Sequence, residues 1–220
     1  AVGYNGTIMH TSDGGGSWNP QTTGTTYDFY DLFFTNADTG WIVGSVGKIY
    51  HTTNGGAEWN YQISGISDYL YSVSFKDGNT AWAVGSSGRI MHTTNGGTDW
   101  NPQTSGVINN LYGVSFVNAD SGWAVGSYGR IIRTTTGGAS WDTVNSGTAN
   151  FFYGVYFINS RRGWAVGNSG TIRRTTNGGV SWDSLASGTT YHLYSVYFTN
   201  TNSGWVVGSA GMVIHTTNSG

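Results

Sequence analysis

The sequence predicts an all-β fold, a β-propeller of four-stranded blades, each 41 residues long. Three observations carry this prediction. The stretch Thr93-Thr94-Asn95-Gly96-Gly97-Thr98-Asp99-Trp100 recurs at residues 11–18, 52–59, 134–141 and 175–182, always 41 residues apart, with a partial copy at 216–220. A fixed period of about 20–50 residues marks a repeat architecture. Two aromatic columns keep that period unbroken: Tyr30, Tyr71, Tyr112, Tyr153 and Tyr194, and Phe34, Phe75, Phe116, Phe157 and Phe198. Each repeat also holds four short runs rich in β-formers, separated by Gly-containing turns, which is the pattern of one propeller blade.

Residues 69–106 serve as the type repeat. Leu70-Tyr71-Ser72-Val73-Ser74-Phe75 alternates and reads as the first strand, followed by a polar turn at 76–80. Trp82-Ala83-Val84-Gly85 is the second, closed by the turn Ser86-Ser87-Gly88. Residues 89–93 form the third and residues 100–104 the fourth. Between the last two lies the recurring stretch. Its Asn or Asp beside paired glycines is turn chemistry, because the side-chain oxygen binds nearby N–H groups and Gly supplies backbone angles closed to other residues. A β-solenoid is the rival architecture, but its coils are shorter and do not call for two regular Trp columns.

Composition narrows the class of protein. Charged residues are 9%, the net charge is −2, and no basic run appears, which argues against a nucleic-acid surface. Cysteine is absent, so no disulfide framework or thiolate metal site is available. No apolar run approaches the roughly 18 residues of a membrane span. The 36 glycines fall in columns such as Gly44, Gly85, Gly126 and Gly167, so they punctuate repeats rather than signal disorder. One domain spanning 1–220 is expected, and the surface rich in Thr, Ser, Asn and Gly suggests an extracellular or cell-surface, secreted bacterial protein.

The pattern [Ser/Thr]-x-[Asp/Asn]-x-Gly-x-[Ser/Thr]-Trp resembles the Asp-box, or BNR repeat, of sialidase-like propellers. Thr11, Asp13, Gly15, Ser17 and Trp18 match it fully, as do Thr175, Asn177, Gly179, Ser181 and Trp182. Other copies drift, with Glu58 and Asp99 in place of Ser/Thr and Thr136 in place of Asp/Asn. Asp13, Asn54, Asn95 and Asn177, with Trp18, Trp59, Trp100, Trp141 and Trp182, are therefore expected to be structural. The run Gly122-Trp123-Ala124-Val125-Gly126-x-x-Gly129-x-Ile131, followed by Thr-Thr-x-Gly-Gly-x-x-Trp, also resembles the Ycf48-like photosynthesis assembly factors over essentially the whole chain. That resemblance implies a protein that holds a protein partner.

No catalytic residue, metal site or cofactor is predicted. A sialidase would need an arginine triad, a Tyr–Glu pair and an acid Asp. The single Glu, Glu58, lies in an Asp-box turn, whereas glycoside hydrolysis uses two carboxylates flanking the bond. The His column (His10, His51, His92, His215, with Arg133 and Arg174 in the same register) takes one position from each repeat, spread around the axis, and so cannot converge on one ion. The loops between fourth and first strands are the place for a site, since in an up-and-down blade they enter the innermost strands. Tyr27 and Asp28, Asp68 and Tyr69, Asn109 and Asn110, Asn150 and Phe151, and Tyr191 and His192 are the candidate ligand- or partner-binding residues there.

The sequence is expected to encode a non-catalytic extracellular scaffold or binding module, one with the means to self-associate into a larger assembly or filament through incomplete terminal blades. The alternatives are an assembly factor binding a protein partner and a glycan-binding propeller without catalytic residues. First and fourth strands occur five times and second and third six times, so about six blade positions are expected: five complete repeats plus a duplicated strand pair. Ala1 occupies the column of Ala83, so the sequence starts within a strand and reads as a fragment or processed chain. If residues 17–23 completed the last blade, the hairpin at 2–11 would be free to add to a neighbouring molecule.

Overall fold

The computed structural model describes all of residues 1–220. Each repeat forms one antiparallel sheet in the order first, second, third, fourth strand. The first strands are Phe29–Phe34, Leu70–Phe75, Leu111–Phe116, Phe152–Phe157 and Leu193–Phe198. The second strands are Gly40–Gly44, Ala81–Gly85, Gly122–Gly126, Gly163–Gly167 and Gly204–Gly208. The third strands are Ile49–Thr52, Ile90–Thr93, Ile131–Thr134, Ile172–Thr175 and Val213–Thr216. The fourth strands that complete them are Asn60–Gln62, Asn101–Gln103, Asp142–Val144 and Asp183–Leu185. The fold is thus an all-β propeller of five blades, four with four strands and the last with three.

Before these blades comes a two-stranded sheet, Ile8–His10 paired with Asn19–Gln21, with a single bridge from Val2 to Ile8. This sheet alone stands where a sixth blade position is expected, and it does not amount to a blade. It also leaves no free hairpin: Asn19–Gln21 pairs with Ile8–His10, and Ile8 is buried among Phe29, Ile42 and Tyr50. Burying that apolar side chain holds the segment against the first full blade.

The chain forms two compact units, residues 1–103 and 104–220. Within each, the core lies in the seams between neighbouring sheets. In the first unit Trp41, Val43 and Ile49 pack on Leu70, Val73, Phe75 and Trp100. In the second, Trp123, Val125 and Ile131 pack on Phe152, Phe157 and Trp182, and Trp164 and Val166 on Leu193, Val196 and Phe198. Second strands with a neighbour on both faces are buried at every residue, which is why they read as continuous apolar runs rather than alternating ones. The Trp columns fill these seams except at Trp18 and at Trp205, which is 38% exposed on the last sheet. Trp18 is 48% exposed, because its two-stranded sheet has no first-strand Phe to meet it.

The Asp-box turns show why their residue types recur. In the copy at 93–100, Thr93 Oγ1 donates to Asn95 Oδ1 at 3.0 Å and accepts from Gly97 N at 2.9 Å, while Asn95 Oδ1 accepts from Asp99 N at 3.0 Å. Thr136 keeps the pattern where Asp/Asn is missing, since its hydroxyl accepts from Ser140 N at 3.1 Å. Asp99 is tolerated in place of Ser/Thr because its carboxylate accepts from Asn95 Nδ2 at 2.9 Å. Asp13 accepts from the hydroxyl and N–H of Ser17 and from Thr11, and these bonds hold its carboxyl well below the usual range.

Candidate functional site

The loops that precede the first strands share one end of each sheet with the turns joining second to third strands. Backbone bonds fix this juxtaposition: Ser45 N donates to Asp28 O at 2.8 Å, Ser86 N to Tyr69 O at 2.9 Å, Ser127 N to Asn110 O at 3.0 Å and Asn168 N to Phe151 O at 2.9 Å. Each turn carries a non-glycine residue in the left-handed region, such as Ser87 at φ 55° and Tyr128 at φ 56°. Tyr128 is thereby turned out to 69% exposure beside the loop of the next blade. Its ring meets Phe151 edge-on at 4.9 Å.

In the first unit, Tyr27 is exposed and Lys48 Nζ lies over its ring at 4.7 Å and over Tyr61 at 4.5 Å, cation–π distances. Asp28 Oδ1 accepts from Asn5 N at 2.9 Å. Asp68 Oδ2 accepts from Arg89 Nε at 3.0 Å and Nη2 at 2.8 Å, a half-exposed pair. Tyr69 stands 6.2 Å from both Tyr30 and Tyr71, which are 5.4 Å apart. Tyr27, Tyr69, Tyr30 and Tyr71, with Lys48 and Arg89, thus bring phenol rings and two cations to one end of the unit.

The second unit repeats the theme with amides. Asn109 Oδ1 accepts from Arg130 Nε at 3.2 Å, and Asn110 Nδ2 donates to the Tyr112 hydroxyl at 3.3 Å. Asn150 Nδ2 donates to Thr171 Oγ1 at 2.7 Å, which ties that amide into the turn. Phe151 lies 6.4 Å from Tyr112. Tyr191 is exposed and its carbonyl accepts from Gly170 N, while His192 Nδ1 accepts from Ser169 N at 3.3 Å. The His192 ring is 6.2 Å from Tyr153, itself 5.4 Å from Tyr194. A row Tyr112, Tyr153, Tyr194 results, because the same first-strand position projects from adjacent sheets.

The expected loop residues therefore do gather by unit, but several are engaged within the fold. No motif marks Lys48, Arg89 and Arg130, which occupy the residue after each turn glycine and reach back to the loops. Their shared column, continued by Thr171 and Met212, is the sequence signal for them. The Tyr column reads as strand pattern in the sequence and becomes the aromatic row of this end. The His column goes elsewhere: His51, His92 and His215 stack on Trp41, Trp82 and Trp205 at 4.5, 4.8 and 4.6 Å. Burial holds His51 and His92 below their ordinary pKa, so they are neutral rings packed on indoles. Glu58 is exposed, in its Asp-box turn.

Rows of phenols flanked by amides and a few cations thus stand at the loop end of each unit of this propeller. The chain belongs to the family of the photosystem II assembly factor YCF48, whose model matches residues 1–64, 18–107, 62–135 and 134–220. No curated protein matches the sequence. Among solved structures, a YCF48 bound to D1 peptide is 24% identical, with a TM-score of 0.78, over 100% of this chain and 74% of that one. YCF48 from Cyanidioschyzon merolae is 20% identical, with a TM-score of 0.55, over 99% and 90%. A GH74 xyloglucanase from Xanthomonas campestris is 10% identical, with a TM-score of 0.77, over 97% of this chain and 41% of that one. At these identities the likeness is one of fold.

Proposed function

We propose that this chain is a non-catalytic, protein-binding propeller of the assembly-factor type, which receives an extended segment of a partner polypeptide on its loop end. The observation that carries this reading is the set of Tyr rings at the loop end of each unit, Tyr27, Tyr69, Tyr30 and Tyr71 in the first and Tyr112, Tyr153 and Tyr194 in the second. Phenol faces give contact area at low entropy cost; Lys48 and Arg89 in the first unit, and the amides Asn109 and Asn110 in the second, supply charge and hydrogen bonds. Membership of the YCF48 family and the peptide complex of a relative support a protein partner over a glycan. The propeller hydrolases share the fold, but Glu58 lies alone in a peripheral turn without a second carboxylate placed for glycoside chemistry.

The scaffold reading, an extracellular protein that associates with itself, is the second proposal. It is favoured by the exposed apolar residues Tyr197, Val207 and Val213 on the last sheet. Calorimetric titration with the D1 peptide tests the first reading. Binding is expected, weakened at least about tenfold, roughly 1.4 kcal/mol, by Tyr71→Ala and by Arg89→Ala. Absence of binding, or hydrolysis of xyloglucan abolished by Glu58→Gln, would overturn it.

A further inference from the structure

Three of the Asp-boxes hold the pair in which an asparagine most readily loses its side-chain amide: Asn54-Gly55, Asn95-Gly96 and Asn177-Gly178. The reaction is internal. The backbone nitrogen of the following residue attacks the asparagine Cγ and a C–N bond forms. The carboxamide nitrogen leaves as ammonia, carrying the proton that the attacking nitrogen gives up. Water then opens the cyclic imide at either carbonyl, leaving aspartate or isoaspartate. Glycine favours the attack because no side chain hinders the approach.

In the folded turns that nitrogen is engaged. Gly55 N donates to Asp38 O at 2.9 Å, Gly96 N to Asn79 O at 2.9 Å and Gly178 N to Arg161 O at 2.8 Å, each a tie to the loop between first and second strands of the same blade. The carboxamide is held as well. Asn54 Oδ1 accepts from Thr52 Oγ1 at 3.0 Å and Glu58 N at 2.9 Å, and Asn177 Oδ1 from Thr175 Oγ1 at 2.9 Å and Ser181 N at 3.0 Å, as Asn95 Oδ1 does from Thr93 and Asp99. Donors on Oδ1 alone would make Cγ more open to attack, so protection comes from the committed N–H and from a carboxamide that faces forward along the turn. The boxes differ in what the amide nitrogen does. Asn177 Nδ2 donates to Ser181 Oγ at 2.9 Å, a hydroxyl able to donate to a carboxylate instead, as Ser17 Oγ donates to Asp13 Oδ2 at 2.7 Å. Asn95 Nδ2 donates to Asp99 Oδ2 at 2.9 Å. An aspartate there would set two carboxylates against each other, like charges with no proton to share.

We propose that the Asn-Gly pairs of the Asp-boxes are deamidation sites gated by folding, and that Asn95 is the one whose conversion its turn does not accept. While the turn is closed the amide survives. When its blade opens, Gly96 N is released from Asn79 O, the carboxamide swings back over it and the imide forms. The aspartate product then faces Asp99, and the isoaspartate product carries an extra backbone carbon that the turn does not span. A chain that has stayed open is therefore marked and refolds less well. Chemical change of the open state is one way in which unfolding becomes irreversible. At Asn177 the aspartate product instead reproduces the Asp13 arrangement. None of this depends on the peptide-binding reading.

Peptide mapping by mass spectrometry tests the gate, on the whole chain held at mildly alkaline pH, folded and in parallel in urea at a concentration that unfolds it. Conversion of Asn95 is expected to be at least about tenfold slower in the folded chain, in line with the small fraction of turns open at any time. Thermal melting tests the site. Asn95→Asp is expected to melt below the unaltered chain, and Asn177→Asp alongside it. Asp99→Ser, at an exposed position and with the residue that serves the Asp13 box, is expected to restore the midpoint of Asn95→Asp. Equal conversion of Asn95 in folded and unfolded chain, Asn95→Asp melting with the unaltered chain, Asn177→Asp melting as low as Asn95→Asp, or no recovery with Asp99→Ser would overturn the inference.

Discussion

Gln62 and Gly97 touch across the seam between two blades, and the contact joins turn chemistry to blade packing. Gln62 Nε2 donates to Gly96 O at 2.9 Å, and a Cβ on Gly97 would run into Gln62 Oε1. Gly97 also sits at φ +85°, where a side chain is strained. The paired glycines thus serve two neighbours. The first offers its carbonyl to the preceding blade, and the second makes room for that blade's glutamine.

Gly97→Val therefore breaks two things at once, the backbone conformation and the seam. A loss of about 1–3 kcal/mol is expected. Asn95→Ala removes turn hydrogen bonds at an exposed position and should cost less, about 1 kcal/mol. Thermal melting of both variants checks this. An unchanged midpoint for Gly97→Val would contradict the clasp.

Much of this was legible beforehand, and for a physical reason. Strand identity follows from local alternation and turn chemistry, so Leu70–Phe75 appears in the structure with the bounds the sequence predicts. The role of Gln62 was not legible, because it depends on how one repeat sits against the next. The same holds for Arg89 and Asp68, whose pairing spans 21 positions and two loops. Trp18 reads like every other Asp-box Trp, yet it is exposed because the ring that should face it is absent from its sheet. Repetition encodes the blade well; departures from it are settled only by neighbours.

Asp31 gives a pH dependence. It holds the first-strand column that Ser72, Gly113, Gly154 and Ser195 occupy elsewhere. Its carboxylate accepts from Ser72 Oγ at 2.8 Å, Val73 N at 3.0 Å and Leu32 N at 2.9 Å, tying two blades together. Burial nevertheless outweighs these bonds and pushes its pKa up to about 6. Below the unfolded value of 3.8 both states are protonated and the group favours neither. Between 3.8 and about 6 the folded chain holds the proton more tightly, so stability falls as pH rises through that window and then levels. The fall is at most on the order of 3 kcal/mol, and less where water reaches the half-buried residue. Asp31→Asn should flatten that slope in denaturant melts at pH 4, 5, 6 and 7. A slope unchanged in the variant would rule Asp31 out as its source.

The central claim, that the loop end with its Tyr row receives a polypeptide, is tested most directly by amide hydrogen exchange with and without the D1 peptide. Protection on adding peptide is expected at residues 27–30, 69–71, 109–112, 150–153 and 191–194, with the Asp-box turns at 52–59 and 93–100 unaffected. Protection confined to the Asp-box turns, or the same exchange throughout with and without peptide, would contradict it.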